Sequence, residues 1–369
     1  MAVNTYLLDF TIDSKHLETI ESRKSLQDTI ENTLKEFVDE LKRESVTEFD
    51  GGFLMLLLGC QGSFITVRGF RQGIITINIE YYKPDSDEGL LNFERVRSLD
   101  SLLQNRLDTT KSHKYPAIKR AGNVNRYLLT ADERILEYDF DKVVFEEKSP
   151  YQKVQIFHSK SLGNLLVLDE LQNMSESDLI YTETLMQRGR ENYKDKEIII
   201  LGGGDGCLLW ELLKEKPKFV TMLELDEVVI KACSMYLRSS CGNCLDNYKG
   251  DRYEIIVGDC FVTLQNFIDQ RKKVDYVFGD LTDVPVDSSG GCSQAWDFIR
   301  LILNKSMQVL RPGGKFLTHG NGASVPKSLQ MYEKVLKTLQ YPVEFKKTHA
   351  FVPSFLEDWV FYQVSPMLD

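Results

Sequence analysis

A glycine-rich turn between an apolar strand and a helix constrains the fold of this chain more than any other feature. Glu197–Leu201 has the pattern of a buried strand, Gly202-Gly-Gly-Asp-Gly206 follows at once, and Leu208–Leu213 continues as a helix. Acids also stand where the next three strand patterns end: Val220–Leu225 ends in Glu224-Leu-Asp226, Asp259 follows Tyr253–Val257, and Asp280 follows Val274–Phe278. Alternating strands and helices predict a doubly wound, mostly parallel sheet that binds its ligand at the carboxyl ends of the strands.

The rest of the 369 residues is predicted to form two further domains. Residues 1–121 combine a helical pattern from Leu26 to Leu41 with three strand patterns. We expect them to be an α+β dimerisation domain that ends in a linker at Asp108–Gly122. Residues 122–175 contain short strand patterns and predict a small central antiparallel β domain. Residues 176–369 are then the α/β catalytic domain, with a Rossmann-like sheet.

Composition and charge exclude several classes of protein. Lys plus Arg is 45 and Asp plus Glu is 55, so the net charge of −10 argues against a nucleic-acid partner. The longest apolar run, Phe53–Leu58, is too short for a membrane helix, and the first residues lack the basic region of a secretory signal. Seven unevenly placed cysteines do not form a disulfide framework, and Cys241 and Cys244 are expected to be reduced thiols in a loop. A cytoplasmic location is expected.

The glycine-rich turn indicates an adenosine-type ligand. Such a turn lets the backbone approach the ligand closely, and an acid about 20 residues later normally binds ribose hydroxyls. Glu224 lies 22 residues after Gly202 and fits that role. Cys207 stands where a dinucleotide fingerprint has its last glycine, which argues against a dinucleotide. Enzymes that use nicotinamide cofactors and enzymes that use S-adenosylmethionine both remain open at this point.

Asp205 and Asp280 point to a cationic ligand. A carboxylate at Asp205 would repel the α-carboxylate of S-adenosylmethionine but would suit a decarboxylated ligand that carries an ammonium group. Capping of the following helix is an equally good reading of Asp205 alone. Asp280 opens the segment Asp280-Leu-Thr-Asp-Val-Pro285. Several acids that converge on one cleft would repel each other unless a polycation such as a polyamine filled it.

The combination of motifs resembles the spermidine/spermine synthase family of aminopropyltransferases. The matching segments lie in order between about residues 125 and 362: Ser149-Pro-Tyr-Gln152, Asp178-Leu-Ile-Tyr181, Leu201-Gly-Gly-Gly-Asp-Gly206, Glu224-Leu-Asp226, Gly258-Asp-Cys260 and Asp280-Leu-Thr-x-x-Pro285. The resemblance implies transfer of an aminopropyl group from decarboxylated S-adenosylmethionine, which is a co-substrate, to a polyamine. It implies no metal or other cofactor.

The resemblance also assigns roles to single residues. Those expected at the nucleoside are Gln152, Gly202, Gly204, Glu224, Asp226, Asp259 and Cys260. Those expected at the amines are Gln152, Tyr181, Asp205, Asp280 and Glu357, with Asp205 and Tyr181 assisting Asp280, the proton acceptor. His158, His319 and His349 follow no ligand spacing and are interpreted as structural or surface residues.

Similarity within the family predicts the acceptor. The long N-terminal extension, expected to build a homodimer, and Asp280-Leu-Thr-x-x-Pro285 are similar to the members that convert spermidine to spermine and 5′-methylthioadenosine. The alternatives are a member that uses putrescine and, with less support, a conventional S-adenosylmethionine methyltransferase. Two departures from the family's pattern affect the expected affinity for the substrates. Cys207 replaces a glycine, and Phe355 replaces a tyrosine, so that one hydroxyl group is absent.

Overall fold

The computed structural model describes residues 2–84, 89–130, 132–281 and 293–367. The helices are α1 Ile20–Leu34, α2 Phe93–Leu107, α3 Leu179–Leu185, α4 Cys207–Lys214, α5 Glu227–Tyr236, α6 Arg238–Cys241, α7 Cys260–Asp269, α8 Ser293–Val309 and α9 Pro326–Leu336. The first strands are β1 Ala2–Thr11, β2 Lys42–Phe49, β3 Gly52–Leu58, β4 Phe64–Phe70, β5 Ile74–Lys83, β6 Lys111–Lys114 and β7 Ile118–Arg120. The next are β8 Tyr127–Leu129, β9 Ile135–Glu137, β10 Phe140–Lys148, β11 Lys153–Ser159, β12 Gly163–Leu168 and β13 Leu171–Ser175. The last are β14 Glu197–Gly202, β15 Phe219–Glu224, β16 Lys249–Gly250, β17 Tyr253–Val257, β18 Val274–Asp280, β19 Leu310–Gly322, β20 Val343–Val352 and β21 Glu357–Pro366.

Internal contacts divide the chain into two compact units, Met1–Asn125 and Arg126–Asp369. The first unit is an antiparallel sheet in the order β2-β3-β4-β5-β1-β6, and β7 also pairs with β1. The alternation in β5 buries Ile75, Ile77, Ile79 and Tyr81 in one core with residues of α1 and α2. This unit is α+β, as the sequence predicts.

Two details of the first unit differ from the sequence prediction. Helix α1 ends at Leu34, before the last apolar residues that were assigned to it. The predicted linker Asp108–Gly122 is wrong in part, because Lys111–Lys114 and Ile118–Arg120 are strands that pair with β1.

The second unit contains two sheets and the hairpin β8-β9. Strands β10-β11-β12-β13 form an antiparallel sheet, where the sequence predicts a small β domain. The larger sheet has the order β16-β17-β15-β14-β18-β19-β21-β20, and the five strands from β17 to β19 are parallel. The doubly wound, Rossmann-like sheet is therefore confirmed. No helix among the described residues is long and apolar enough to cross a membrane.

The strand order places a crevice beside β14. Residues Ile198 to Leu201 are almost fully buried because helices cover both faces of the sheet. From β14 the chain moves one way to β15 and β17, and later returns to the other side of β14 as β18. Ligands bind at such a reversal, outside the carboxyl ends of the strands.

Candidate active site

A cavity of about 230 Å3 lies at the carboxyl ends of β14, β15, β17 and β18. Gly202 at the end of β14 pairs with Asp280 at the end of β18, and Glu224 ends β15. Most of the predicted site residues line this cavity: Gln152, Tyr181, Gly202, Gly204, Asp205, Glu224, Asp226, Asp259, Cys260 and Asp280. The sheet therefore brings together acids that are 75 positions apart in sequence, from Asp205 to Asp280.

The glycine-rich turn fits tightly between its neighbours. Gly202 has φ +82°, and a Cβ there would lie 2.1 Å from the carbonyl oxygen of Asp280. A Cβ at Gly204 would lie 2.8 Å from the Glu224 carboxyl group. Side chains at these two positions would push the turn away from β18 and from Glu224, so glycine is required for the shape of the cavity.

The Glu224 side of the cavity is held by an internal hydrogen-bond network. The Glu224 carboxylate accepts hydrogen bonds from the backbone amides of Gly204 (3.0 Å) and Asp226 (2.8 Å). Asp226 caps α5 and accepts hydrogen bonds from Ser149 Oγ (2.6 Å) and Gln152 Nε2 (3.0 Å). Gln152 and Asp226 thus fix each other, which connects the segment before β11 to the edge of the large sheet.

The Asp280 side has fewer internal partners. Tyr181 Oη donates to Asp280 Oδ1 at 3.2 Å, while Oδ2 is buried with no hydrogen-bond partner among the described residues. Asp205 is buried, and its Oδ1 accepts a hydrogen bond from the amide of Cys207 at 2.7 Å. Asp205 therefore does support the start of α4, as its helix-capping interpretation requires, and it lines the cavity as well.

Asp205 is buried and Glu224 and Asp280 are half-buried, and their three carboxyl groups are here called the enclosed acids. Burial, with repulsion from Asp205, raises the pKa of Asp280 to about 7 even though the nearby His319 opposes the shift. Burial likewise raises the pKa of Glu224 to about 7 and raises that of Asp205. The described residues that line the cavity include no Lys or Arg to neutralise them. A cationic ligand would favour their ionised forms.

Glu357 lies elsewhere. It is not among the described residues that line the cavity, and its carboxylate binds Arg134 Nη2 (2.7 Å) and the backbone amide of Ser324 (2.7 Å). It begins β21, between the cavity residues Phe355 and Trp359. The rest of the predicted Asp280-Leu-Thr-x-x-Pro285 loop, from Thr282 onward, lies outside the described residues.

Sequence reasoning missed the aromatic and imidazole side chains of the cavity. Phe298 and Trp359 line it, and so does His319, which the sequence interpretation left as a structural residue. His158 and His349 lie near Asp141 and Asp358 and are partly exposed. No signal in the sequence distinguishes His319 from these two, because its neighbours are set by the pairing of β19 with β18.

The cysteines next to the glycine-rich turn lie in surroundings that disfavour the thiolate form. Burial raises the pKa of Cys207, Cys241 and Cys244 well above the ordinary range of a thiol. The six described cysteines are free. Among the described residues, no group of three or more His, Cys, Asp or Glu side chains is arranged to hold a metal ion.

Comparison with known families matches almost the whole second unit. Residues 178–367 match the spermine/spermidine synthase domain, and residues 128–176 match the spermidine synthase tetramerisation domain. The first of these matches alone covers more than half of the chain. The residues before 128 lie outside both.

Individual relatives agree with the family match. A thermospermine synthase of Arabidopsis thaliana is 26% identical to this chain over 62% of its length. The chain spans 66% of that protein, just under two thirds. A polyamine aminopropyltransferase of Sulfurisphaera tokodaii is 30% identical over 61% of this chain and 71% of its own length. The crystal structure of a spermidine synthase from Thermotoga maritima has the same fold, with a TM-score of 0.53 and 20% identity over 66% of this chain and 79% of that one.

Proposed function

This chain belongs to the spermine/spermidine synthase family, and we propose that it is a spermine synthase. Family membership makes it an aminopropyltransferase that uses decarboxylated S-adenosylmethionine. The acceptor in our proposal is spermidine, and the products are spermine and 5′-methylthioadenosine. The free, reduced cysteines among the described residues fit the cytoplasm, where we place the reaction.

One observation carries the proposal: the enclosed acids line a cavity whose described residues include no Lys or Arg. Like charges in an enclosed site bind protons unless cations compensate them. Decarboxylated S-adenosylmethionine carries a sulfonium and an ammonium, and a polyamine carries further ammonium groups. A ligand with a carboxylate beside Asp205 would add to the repulsion. The cavity therefore favours a cationic donor and a cationic acceptor.

In this proposal, the two ends of decarboxylated S-adenosylmethionine contact opposite sides of the cavity. We assign its ribose to Glu224, whose carboxylate is held in place by two backbone amides. Gln152 and Cys260 then contact the nucleoside, Asp226 fixes Gln152, and Asp259 stands at the start of α7 beside them. The ammonium of the aminopropyl group lies against Asp205, and the reacting carbon between Asp205 and Asp280.

Asp280 accepts the proton in this mechanism. The amine nitrogen attacks the carbon next to the sulfonium, the carbon–sulfur bond breaks, and its electron pair stays on sulfur as methylthioadenosine forms. The nitrogen then carries the positive charge and gives one proton to the Asp280 carboxylate. Tyr181, which donates to Asp280 Oδ1, orients that carboxylate. A positioned base of this kind contributes about 10²–10⁴-fold to the rate.

Support for spermidine as the acceptor comes from the motif Asp280-Leu-Thr-x-x-Pro285 and from two aromatic residues that line the cavity. Phe355 and Trp359 form an aromatic pair with ring centroids 4.5 Å apart, which suits the methylene chain of a long amine. Glu357 lies between them in sequence and is our candidate for the distal ammonium. An ammonium that reaches Glu357 would compete with Arg134 for its carboxylate.

The test is a turnover assay of the full chain with decarboxylated S-adenosylmethionine and either spermidine or putrescine. We expect spermine as the product by mass spectrometry, and a kcat/KM for spermidine far above that for putrescine. Equal turnover of putrescine would make the protein a spermidine synthase. Methyl transfer from S-adenosylmethionine, without aminopropyl transfer, would contradict the proposed reaction.

We also propose a homodimer that depends on residues 1–121. This segment carries apolar strands, such as Gly52–Leu58, and it precedes the residues that match the tetramerisation domain. Sedimentation should show a dimer for the full chain and a monomer for a truncated protein that begins at Arg126. An unchanged assembly would move the interface to the second unit.

A further inference from the structure

His319 lies beside Asp280 and binds the backbone of the residue that follows it. It follows Thr318 on β19, the strand that pairs with β18. Thr318 Oγ1 donates to the carbonyl oxygen of Gly279 at 2.7 Å, and His319 Nε2 lies 2.8 Å from the carbonyl oxygen of Leu281. Two adjacent side chains of β19 thus hold the residues immediately before and after Asp280. This arrangement fixes the backbone from which the Asp280 carboxylate extends.

The surroundings of the ring favour its charged form. A carbonyl oxygen can only accept a hydrogen bond, so Nε2, at 2.8 Å from Leu281, carries a hydrogen. Nδ1 lies 3.3 Å from the carbonyl oxygen of Gly320, which likewise favours a hydrogen on that nitrogen. An imidazole ring with hydrogens on both nitrogens is a cation.

The described charged and titratable groups around this ring are mostly acids. The Tyr181 ring of α3 lies 5.9 Å from the His319 ring and is hydrogen-bonded to Asp280 of β18. Asp205, before α4, and Glu224, at the end of β15, line the same cavity. On β21, Phe361 pairs with His319 across the sheet, and its ring and that of Phe355 pack against the Tyr181 ring.

We infer that His319 is a positioning residue for proton transfer, whose positive charge keeps Asp280 ionised and ready to accept the proton of the amine. The inference rests on the proposed function, in which Asp280 must begin as a carboxylate. Without a cation nearby, the enclosed acids would retain protons at neutral pH, and a protonated Asp280 could not act as the base. The electrostatic effect of His319 on Asp280 is in this direction.

The decisive variant is His319→Gln, because glutamine keeps an N–H that can bind the Leu281 carbonyl but carries no charge. His349→Gln is the matched control, since that histidine is 72% exposed on β20. We expect the acidic limb of the kcat/KM profile to move to higher pH by about 1 unit in His319→Gln, the lower end of the effect of a nearby opposite charge. The rates should converge above pH 9, and the control should match the wild type. A loss that is uniform at all pH values would mean that His319 only holds the backbone.

A second measurement does not depend on turnover. The chain has five histidines, so the ring signal that is missing from the NMR spectrum of His319→Gln identifies His319. Its titration midpoint in the wild type should fall when Asp280 is replaced by Asn, because the coupling between two charges is reciprocal. An unchanged midpoint would overturn the inference. If the wild type transferred no aminopropyl group, the proposed function would fail while this measurement still decided the coupling.

Discussion

The enclosed acids of the second unit and the buried, paired acids of the first unit are stabilised in opposite ways. In the first unit, Asp100 is fully buried and binds Lys114 Nζ at 2.8 Å and Gln104 Nε2 at 2.9 Å. Glu31 binds Lys35 at 2.7 Å and Arg43 Nε at 2.6 Å. In the second unit, the enclosed acids have hydroxyl and amide donors, and the described residues of their cavity include no Lys or Arg.

The difference separates structural acids from functional ones. Burial alone would raise the pKa of Glu31, but hydrogen bonds from Lys35 and Arg43 lower it overall, so that acid is ionised and satisfied within the fold. Burial raises the pKa of each of the enclosed acids, because no permanent cation balances them as fully. Buried acids without a permanent cationic partner are typical of a site that binds a cationic ligand reversibly.

The largest expected effect is on turnover and belongs to the second unit alone. Asp280→Asn keeps the shape of the side chain but cannot accept a proton, so kcat should fall by about 10²–10⁴. Binding of methylthioadenosine should be nearly unchanged, since Glu224 and Gln152 are intact. Raising the pH should restore part of the rate, because more of the acceptor amine is then neutral. Steady-state kinetics and calorimetry measure both quantities.

The matched control for this variant is Asp100→Asn in the first unit. It removes a buried carboxylate that is paired with Lys114 and should lower stability while leaving kcat unchanged. Near-normal kcat in Asp280→Asn at neutral pH would assign the base to another acid, with Asp205 as the first candidate.

A smaller effect, on binding, distinguishes Asp205 from Glu224. Asp205→Asn should weaken binding of decarboxylated S-adenosylmethionine by about 1.5–3 kcal/mol, or roughly 10- to 150-fold, because one charge-assisted hydrogen bond is lost. Methylthioadenosine has no ammonium and should bind almost as before. Calorimetry with the two ligands gives the comparison. Equal losses for both would mean that Asp205 acts only through its hydrogen bond to the Cys207 amide.

The two units also differ in how much of their structure could be predicted from the sequence. The edge with the acids was predictable, because consecutive parallel strands present their carboxyl ends together, so Asp205, Glu224, Asp259 and Asp280 had to converge. The central place of β1 was not, since it pairs with β5, more than 60 residues away, and its own alternation names no partner. Strand β6 was missed because Lys-Ser-His-Lys has no apolar alternation.

The site shows the same limit. Residues that belong to a local motif, such as Gly202 or Asp226, could be placed at the cavity from the sequence alone. His319 and Trp359 enter the cavity through the registers of β18, β19 and β21, which side-chain patterns do not specify to one residue. The interaction of Glu357 with Arg134 links positions 223 residues apart and has no signature in either local sequence.

The smallest expected effect is on stability, and its sign should differ between Asp280 and Glu31. The folded pKa of Asp280 is about 7, above its ordinary 3.8, so the folded protein binds the extra proton between those values. Stability from this group is therefore present at low pH and lost as the pH rises from about 4 to about 7. For Glu31 the folded pKa is lowered, so its contribution is present above its ordinary 4.5 and is lost as the pH falls below it.

Unfolding by urea at pH 8 and at pH 4.5, without ligand, checks this prediction. At pH 8, Asp280→Asn should stabilise the protein by about 1 kcal/mol, since it removes a buried charge that His319 balances only in part, and Glu31→Gln should destabilise it by about the same amount. At pH 4.5 the gain from Asp280→Asn should shrink, because the native carboxyl group is then protonated. If Asp280→Asn destabilised the protein at pH 8 as Glu31→Gln does, Asp280 would be a structural acid. The contrast between the enclosed acids and the paired acids would then not hold for Asp280.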